Sequence, residues 1–160
     1  MLVELPVVEH YRDSYSVSTD KSRLDMDAIH DYLANESYWS PGIPRSAVQR
    51  GVENSLCFGV YAGDTQVGFA RVVSDFSSFA YLMDVFVLTP YRRRGLGKWL
   101  VECILDYPEL KYVRNWMLST WDAHDLYSRY GFTSLTNPEF VMVRRNPDAF
   151  VQVAAAEQSS

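Results

Sequence analysis

Between Pro90 and Leu100 the chain reads PYRRRGLGKWL, so that Arg92, Arg93 and Arg94 run directly into Gly95 and Gly97. These residue types suit a pyrophosphate. Arginine donates charge-assisted hydrogen bonds to phosphate oxygens. Glycine lets an anion approach the free N–H groups of a helix start without meeting a Cβ. The spacing is neither that of a P-loop nor G-x-G-x-x-G, and on residue types alone a glycine turn beside three solvated arginines explains it equally well. Asp84 is the second feature, an acid inside the otherwise apolar FAYLMDVFVLT of Phe79 to Thr89. A carboxylate buried there needs a partner or a task. The partner would be a nearby arginine such as Arg71; the task would be acid–base chemistry. Asp75, at the end of ARVVSD, is a second candidate for that task, in competition with a place in a turn.

Tyr38 and Trp39 lie in SYWSPGIP, which two prolines and a glycine keep from regular structure. They could wall a pocket for a cation or a ring, or simply pack onto the core. His124 precedes Tyr127 by three residues and shares its helical face. Asp122 and Asp125 read as N-cap and first-turn acids. His10 and His30 have no evident partners, and no run of residues has metal-ligand spacing.

The elements that must position these groups can be read from periodicity. YSVST alternates like a strand, and DMDAIHDYL (Asp25 to Leu33) has helical spacing with acids in its first turn. RSAVQRGVENS reads as a second, shorter helix. SLCFGVYAGDTQVGFARVV reads as a hairpin turning at AGD. FAYLMDVFVLT is apolar enough for a central strand covered on both faces. GLGKWLVECILDY is helical, WMLST a strand, DAHDLYSRY a short helix and EFVMVRR a final strand. The order is strand, two helices, three strands, helix, strand, helix, strand.

With 160 residues, 48% of them hydrophobic, the chain fits one domain over residues 1–150, followed by a small, polar tail at 151–160 that should fray. The formal net charge of −5 gives no support to general nucleic-acid binding. Cys57 and Cys103 sit in apolar stretches and read as core filler. No run is long enough for a membrane span, and MLVELPVVEH is too polar for a signal peptide. A soluble, cytoplasmic protein is expected.

DVFVLTPYRRRGLGKWL resembles the acetyl-CoA-binding motif of the GNAT superfamily of acyl-CoA N-acyltransferases, Arg/Gln-x-x-Gly-x-Gly/Ala, with Arg92, Gly95 and Gly97 in its fixed positions. DAHDLYSRYGF resembles the family's A-x-x-L-Y-x-x-x-G-F segment through Ala123, Leu126, Tyr127, Gly131 and Phe132. The likeness covers roughly Leu56 to Arg144. It implies the α/β (α+β) GNAT fold: a mixed central sheet of about six to seven strands, splayed at the middle and flanked by about four helices. It implies acetyl-CoA as cosubstrate, with the pantetheine arm along the backbone of Val85, Phe86 and Val87. Arg92, Arg93, Arg94, Gly95, Leu96, Gly97 and Lys98 would surround the pyrophosphate. Tyr127 would protonate the departing thiolate, a main-chain N–H near Val85 would receive the oxyanion, and Asp84 would be the candidate base. Tyr38, Trp39 and Asp75 would face the acceptor amine. LMDVFV also resembles the D-x-F-V stretch of polyamine-type members, but Met83 stands where those often carry a second acid. A homodimer is compatible with the family, and the alternatives to N-acetyl transfer are a non-catalytic acyl-CoA-binding module or transfer of another acyl group.

Overall fold

Short turns fix the antiparallel part of the sheet. The computed structural model describes residues 2–160. Strands β1 (Glu9–Arg12) and β2 (Tyr15–Ser18) form a tight hairpin, with Asp13 in the left-handed region at φ 53°. After helices α1 (Met26–Asp31) and α2 (Arg45–Glu53), β3 (Leu56–Ala62) turns at Gly63 into β4 (Thr65–Ser74), which turns again into β5 (Phe79–Val87). Helix α3 (Leu96–Leu105) then carries the chain back across the sheet, so β6 (Asn115–Met117) joins β5 in parallel. The six described strands lie in sequence order, β1 to β6. Helices α4 (His124–Ser128) and α5 (Ala149–Gln158) complete the chain, giving a mixed six-stranded sheet with five helices.

Each face of the sheet carries its own core. Val60, Val67, Leu82, Leu100, Ile104 and Tyr107 pack on the α3 side. Ile29, Leu33, Val48, Cys57, Phe69 and Phe86 pack on the side of α1 and α2. Asp25 caps α1 by accepting a hydrogen bond from Ala28 N–H at 3.0 Å. A five-residue π turn, Tyr32–Glu36, extends that helix before the loop that holds Tyr38 and Trp39.

Two irregularities in β5 shape the site. Opposite β4 the register slips between Phe69↔Phe86 and Arg71↔Met83, leaving Asp84 and Val85 to share a place opposite Ala70, with Asp84 at φ 54°. A slip of one residue exchanges the faces of a strand. Ala80 and Leu82 therefore join the α3 core, whereas Phe86 joins the α1–α2 core. On its other edge β5 pairs with β6 only from Phe79↔Asn115 to Tyr81↔Met117, and beyond that point the strands part.

Three expectations change. The strand expected over EFVMVRR does not form; Val141 to Asn146 carry no regular structure, and a strand at Glu9–Arg12 brings the number to six. Residues 151–158, expected to fray, lie within α5. The helices number five because α5 is added. Among the described residues no helix is long and apolar enough to cross a membrane.

Candidate active site

The parting of β5 from β6 opens a cavity of about 260 Å³. Tyr81, Leu82, Met83, Asp84 and Val85 form one wall and Leu118, Ser119 and Thr120 the other. The hydroxyls of Tyr81 and Ser119 bridge the base of the cleft at 2.7 Å. Tyr38 and Trp39 close it from the α1–α2 loop, Asp122 and Ala123 from the turn before α4, and Tyr127 from α4 itself.

Tyr127 sits on α4 with 7% of its surface exposed, its ring edge-on to Phe132 at 5.9 Å between centroids. Burial, with smaller contributions from neighbouring Tyr38 and Asp122, pushes its phenol up to about 12. It is therefore a neutral hydroxyl that keeps its proton throughout the physiological range.

The bulge turns the Asp84 side chain toward the α2 side, where Arg71 waits. Arg71 Nε donates to Asp84 Oδ2 at 2.5 Å, and Trp39 Nε1 donates to Asp84 Oδ1 at 2.9 Å. Arg71 also donates to Ser55 Oγ at 3.0 Å, and Ser55 in turn donates to the Gly51 carbonyl at 2.6 Å. Both carboxylate oxygens of Asp84 are thus engaged. The ion pair with Arg71 that competed with the role of base is the arrangement that forms, and it pins Trp39 over the cavity as well.

Tyr38 is fixed from the opposite wall. Its ring stacks on Trp121 at 4.8 Å and 4°, and its hydroxyl accepts the Trp121 N–H at 3.0 Å. No sequence pattern points to Trp121, Ser119 or Thr120 as residues of the site. Asp122 does not cap α4, whose N-cap residue is Ala123, without a side-chain cap; Thr120 Oγ1 accepts the Ala123 N–H at 3.1 Å in the turn before it. That leaves the Asp122 carboxylate at the cavity lip. Asp75 is elsewhere: it accepts the Ser78 hydroxyl and the N–H groups of Ser77, Phe79 and Ser78 in the β4–β5 turn, bonds that hold its carboxyl well below the usual range. Asp75 therefore serves the turn and lies outside the cavity lining, and does not face an acceptor there.

At the other end of β5, the glycine loop leads into α3. Gly95 caps the helix at φ 75°, a left-handed conformation that glycine adopts freely. The first main-chain bond of the helix runs from Trp99 N–H to Gly95 O, so the N–H groups of Leu96, Gly97 and Lys98 precede the hydrogen-bonded ladder. A Cβ on Gly97 would meet no atom within 4 Å, so the space beside the helix start is open to a ligand. The Leu96 side chain is core, leaving only its backbone for binding. The arginines divide. Arg92 turns back, donating from Nε to Val87 O at 2.8 Å and from a terminal nitrogen to the Tyr32 hydroxyl at 3.0 Å. Arg94 donates to the Tyr15 hydroxyl at 2.9 Å, while Arg93, at φ 62°, and Lys98 are exposed beside the helix start. Arg92 therefore braces the loop, and the Val87 carbonyl expected to meet a pantetheine is already accepting from it. The Phe86 ring faces away from the cavity, stacked on Tyr32 at 3.9 Å. Val85 alone of the three expected strand residues lines the cleft. Among the described residues no three potential metal ligands are gathered.

Residues 53–134 match the family model described as an acetyltransferase (GNAT) domain. A protein of Gibberella zeae named as a candidate acetyltransferase is 32% identical over 141 residues, spanning 74% of this chain and 78% of that protein. The crystal structure of a candidate GNAT-family acetyltransferase from Xanthomonas campestris superposes with a TM-score of 0.82 at 46% identity, covering 85% of this chain and 96% of that one. A GNAT-family acetyltransferase from Streptococcus pneumoniae gives a TM-score of 0.59 at 26% identity, covering 76% and 89%.

Proposed function

The chain belongs to the GNAT family of acetyltransferases, and on that premise we propose that it is an N-acetyltransferase carrying acetyl from acetyl-CoA to a primary amine in a ternary complex. The observation that carries this reading is the buried, neutral Tyr127 phenol facing the cleft between β5 and β6. Acetyl-CoA supplies the acyl thioester. Its pyrophosphate would be held by the leading N–H groups of α3 with Arg93, Arg94 and Lys98, where the open side of Gly97 leaves room. The backbone N–H near Val85, re-aimed by the bulge, receives the negative charge that develops on the carbonyl oxygen. Tyr127 gives its proton to the departing sulfur.

The acceptor arrives as an ammonium, because an alkylamine has a pKa near ~10. Tyr38 and Trp39 offer aromatic surface to that cation, and Asp122 offers charge at the cavity lip. With both Asp84 oxygens engaged, Asp122 is the carboxylate toward which the amine proton leaves through water. Asp84 acts as a positioning residue, holding Trp39 and the bulge.

The test is release of CoA thiol from acetyl-CoA across a panel of polyamines, aminoglycosides, amino acids, arylalkylamines and short peptides. Turnover with one class, sharply lowered by Tyr127→Phe, is expected. Binding of acetyl-CoA with no turnover on any amine would favour an acyl-CoA-binding module, and faster release from a longer acyl thioester would replace the acetyl assignment.

A further inference from the structure

The cleft between β5 and β6 carries charge of one sign only. Among the described residues that line it, none is lysine, arginine or histidine, while Asp84 and Asp122 are acids. The Arg71 guanidinium that meets Asp84 is taken up by that carboxylate and by Ser55. An acceptor with a carboxylate or phosphate beside its amine would give up hydration here and find no cation in return. The acids themselves match a single ammonium, because both Asp84 oxygens are engaged and only Asp122 is left. Space is limited as well. At about 260 Å³ the cleft lies below the ~300–1,000 Å³ of ordinary ligand pockets, and the thioester end of the cosubstrate must share it.

The walls are aromatic and held in place. Tyr38 and Trp39 meet edge to face, with centroids 5.0 Å apart and planes at 84°, and so form a corner. Asp84 pins Trp39, and Trp121 pins Tyr38. Trp121 lies outside the cavity lining with 80% of its surface exposed, and its stack on Tyr38 accounts for an indole left in water. Aromatic rings favour offset-stacked and edge-to-face partners, and a corner of two rings at right angles offers one of each to a third ring. A rigid, flat guest also loses less freedom on entering such a corner than a flexible polyamine does.

We propose that the acceptor is a small arylalkylamine: one aromatic ring system joined by a short aliphatic link to a single primary amine, with no acidic group. This rests on the N-acetyltransferase reading above. The ring lies in the corner of Tyr38 and Trp39, and the ammonium faces Asp122. The nitrogen loses one proton to solvent by way of Asp122, its lone pair forms the C–N bond, and the C–S bond breaks with its electron pair on sulfur. Sulfur takes the Tyr127 proton, and the second proton lost by nitrogen restores the phenol through water. Trp121 is a positioning residue, setting specificity through the ring of Tyr38.

Two measurements on the full chain test the class apart from the reaction: calorimetry of amine binding, with and without CoA, and thiol release from acetyl-CoA. The matched amines are 2-phenylethylamine; phenylalanine, which adds a carboxylate; 2-cyclohexylethylamine, which loses the aromatic face; and spermidine, which adds charges. For 2-phenylethylamine, kcat/KM should exceed that for phenylalanine and spermidine about 100-fold and that for 2-cyclohexylethylamine about 10-fold, with Kd in the same order. Trp121→Ala should raise the KM for 2-phenylethylamine with kcat kept, as for a loss of uniform binding, and Trp121→Phe, which can still stack, should restore it. Asp122→Lys should cut the preference over phenylalanine about 10-fold, whatever its effect on the overall rate. Equal turnover of phenylalanine, spermidine or 2-cyclohexylethylamine would overturn the acceptor class and leave the acetyltransferase standing. Binding in the expected order with no turnover would uphold the ligand class of the cleft and overturn the transfer reaction. Neither binding nor turnover of 2-phenylethylamine, or a preference unmoved by Asp122→Lys, would overturn the proposal.

Discussion

Tyr127 combines two properties that pull in the same direction. Burial keeps its phenol protonated, and its place on α4 puts it in the lining of the cleft. Replacing it with Phe should leave the fold intact and lower kcat about 100- to 10,000-fold, the range for a lost general acid. The pH profile carries a sharper expectation. The phenol is raised from 10.0 to about 12, so the proton it donates is fully present below pH 10 and is lost only as pH rises toward 12. The rate should accordingly climb as the acceptor amine deprotonates, with no falling limb from Tyr127 below pH 10. A descending limb near neutrality that disappears in Tyr127→Phe would refute the assignment. The ion pair of Arg71 and Asp84 supports a second prediction. Their side chains are only 17% and 10% exposed, so Arg71→Met should cost about 3–5 kcal/mol in urea unfolding by stranding a carboxylate. Asp84→Asn in that background should recover much of the loss. Of these residues, Tyr127 was legible because its neighbours fall in a fixed pattern. The place of Asp122 was not, because whether an acid just before a short helix caps it or faces a cavity is decided by the loop geometry and not by residue type.

At the scale of elements, what periodicity could not register is the bulge in β5. The apolar run of Phe79 to Thr89 reads the same with or without an extra residue, yet the slip at Asp84 decides which side chains reach the cleft. The left-handed φ is one that aspartate tolerates better than most residues do, so Asp84 serves both the turn of the backbone and the ion pair. Helix α2 is shaped by the same pair. Gly51 lies in its interior, where alanine would ordinarily stabilise by about 0.5–1 kcal/mol. Here a Cβ would stand 3.3 Å from Arg71 Cζ, and Arg71 is held by Asp84 and Ser55 and has little freedom to withdraw. Gly51→Ala should therefore destabilise, by about 1 kcal/mol as for modest overpacking, and a gain in stability would show that the guanidinium can move aside. EFVMVRR forms no strand for a related reason: its composition is that of a strand, but composition does not record where neighbouring elements lead the chain, and among the described residues Met142 to Arg145 make no main-chain hydrogen bond.

For the molecule as a whole, the net charge is −5 while the proposed cosubstrate is a polyanion, so its binding would depend on a local arrangement that overcomes the unfavourable net charge. Length and strand–helix order made the fold legible, since a central strand followed by a glycine-rich helix start leaves few ways to build the sheet. The division of labour among Arg92, Arg93 and Arg94 was not, because it follows from how Tyr32 and Tyr15 converge on the loop from distant parts of the chain. If the start of α3 is the anion site, acetyl-CoA at a hundredfold excess over its Kd should stabilise the fold by about 2.7 kcal/mol. For a chain of this length that is a rise in Tm of roughly 5–10 °C. Gly97→Glu places a carboxylate in the open space beside the helix start without a clash in the free protein. It should leave the Tm of the free protein nearly unchanged, since an acid in the first turn is compatible with the helix dipole, while abolishing the shift by acetyl-CoA. Arg92→Ala should do the reverse, lowering the Tm of the free protein through loss of its bonds to Val87 and Tyr32, with the ligand-induced shift largely kept. If instead both variants lost the shift alone, Arg92 would have to swing onto the phosphates when the cosubstrate binds, and the loop would be rearranged by its ligand.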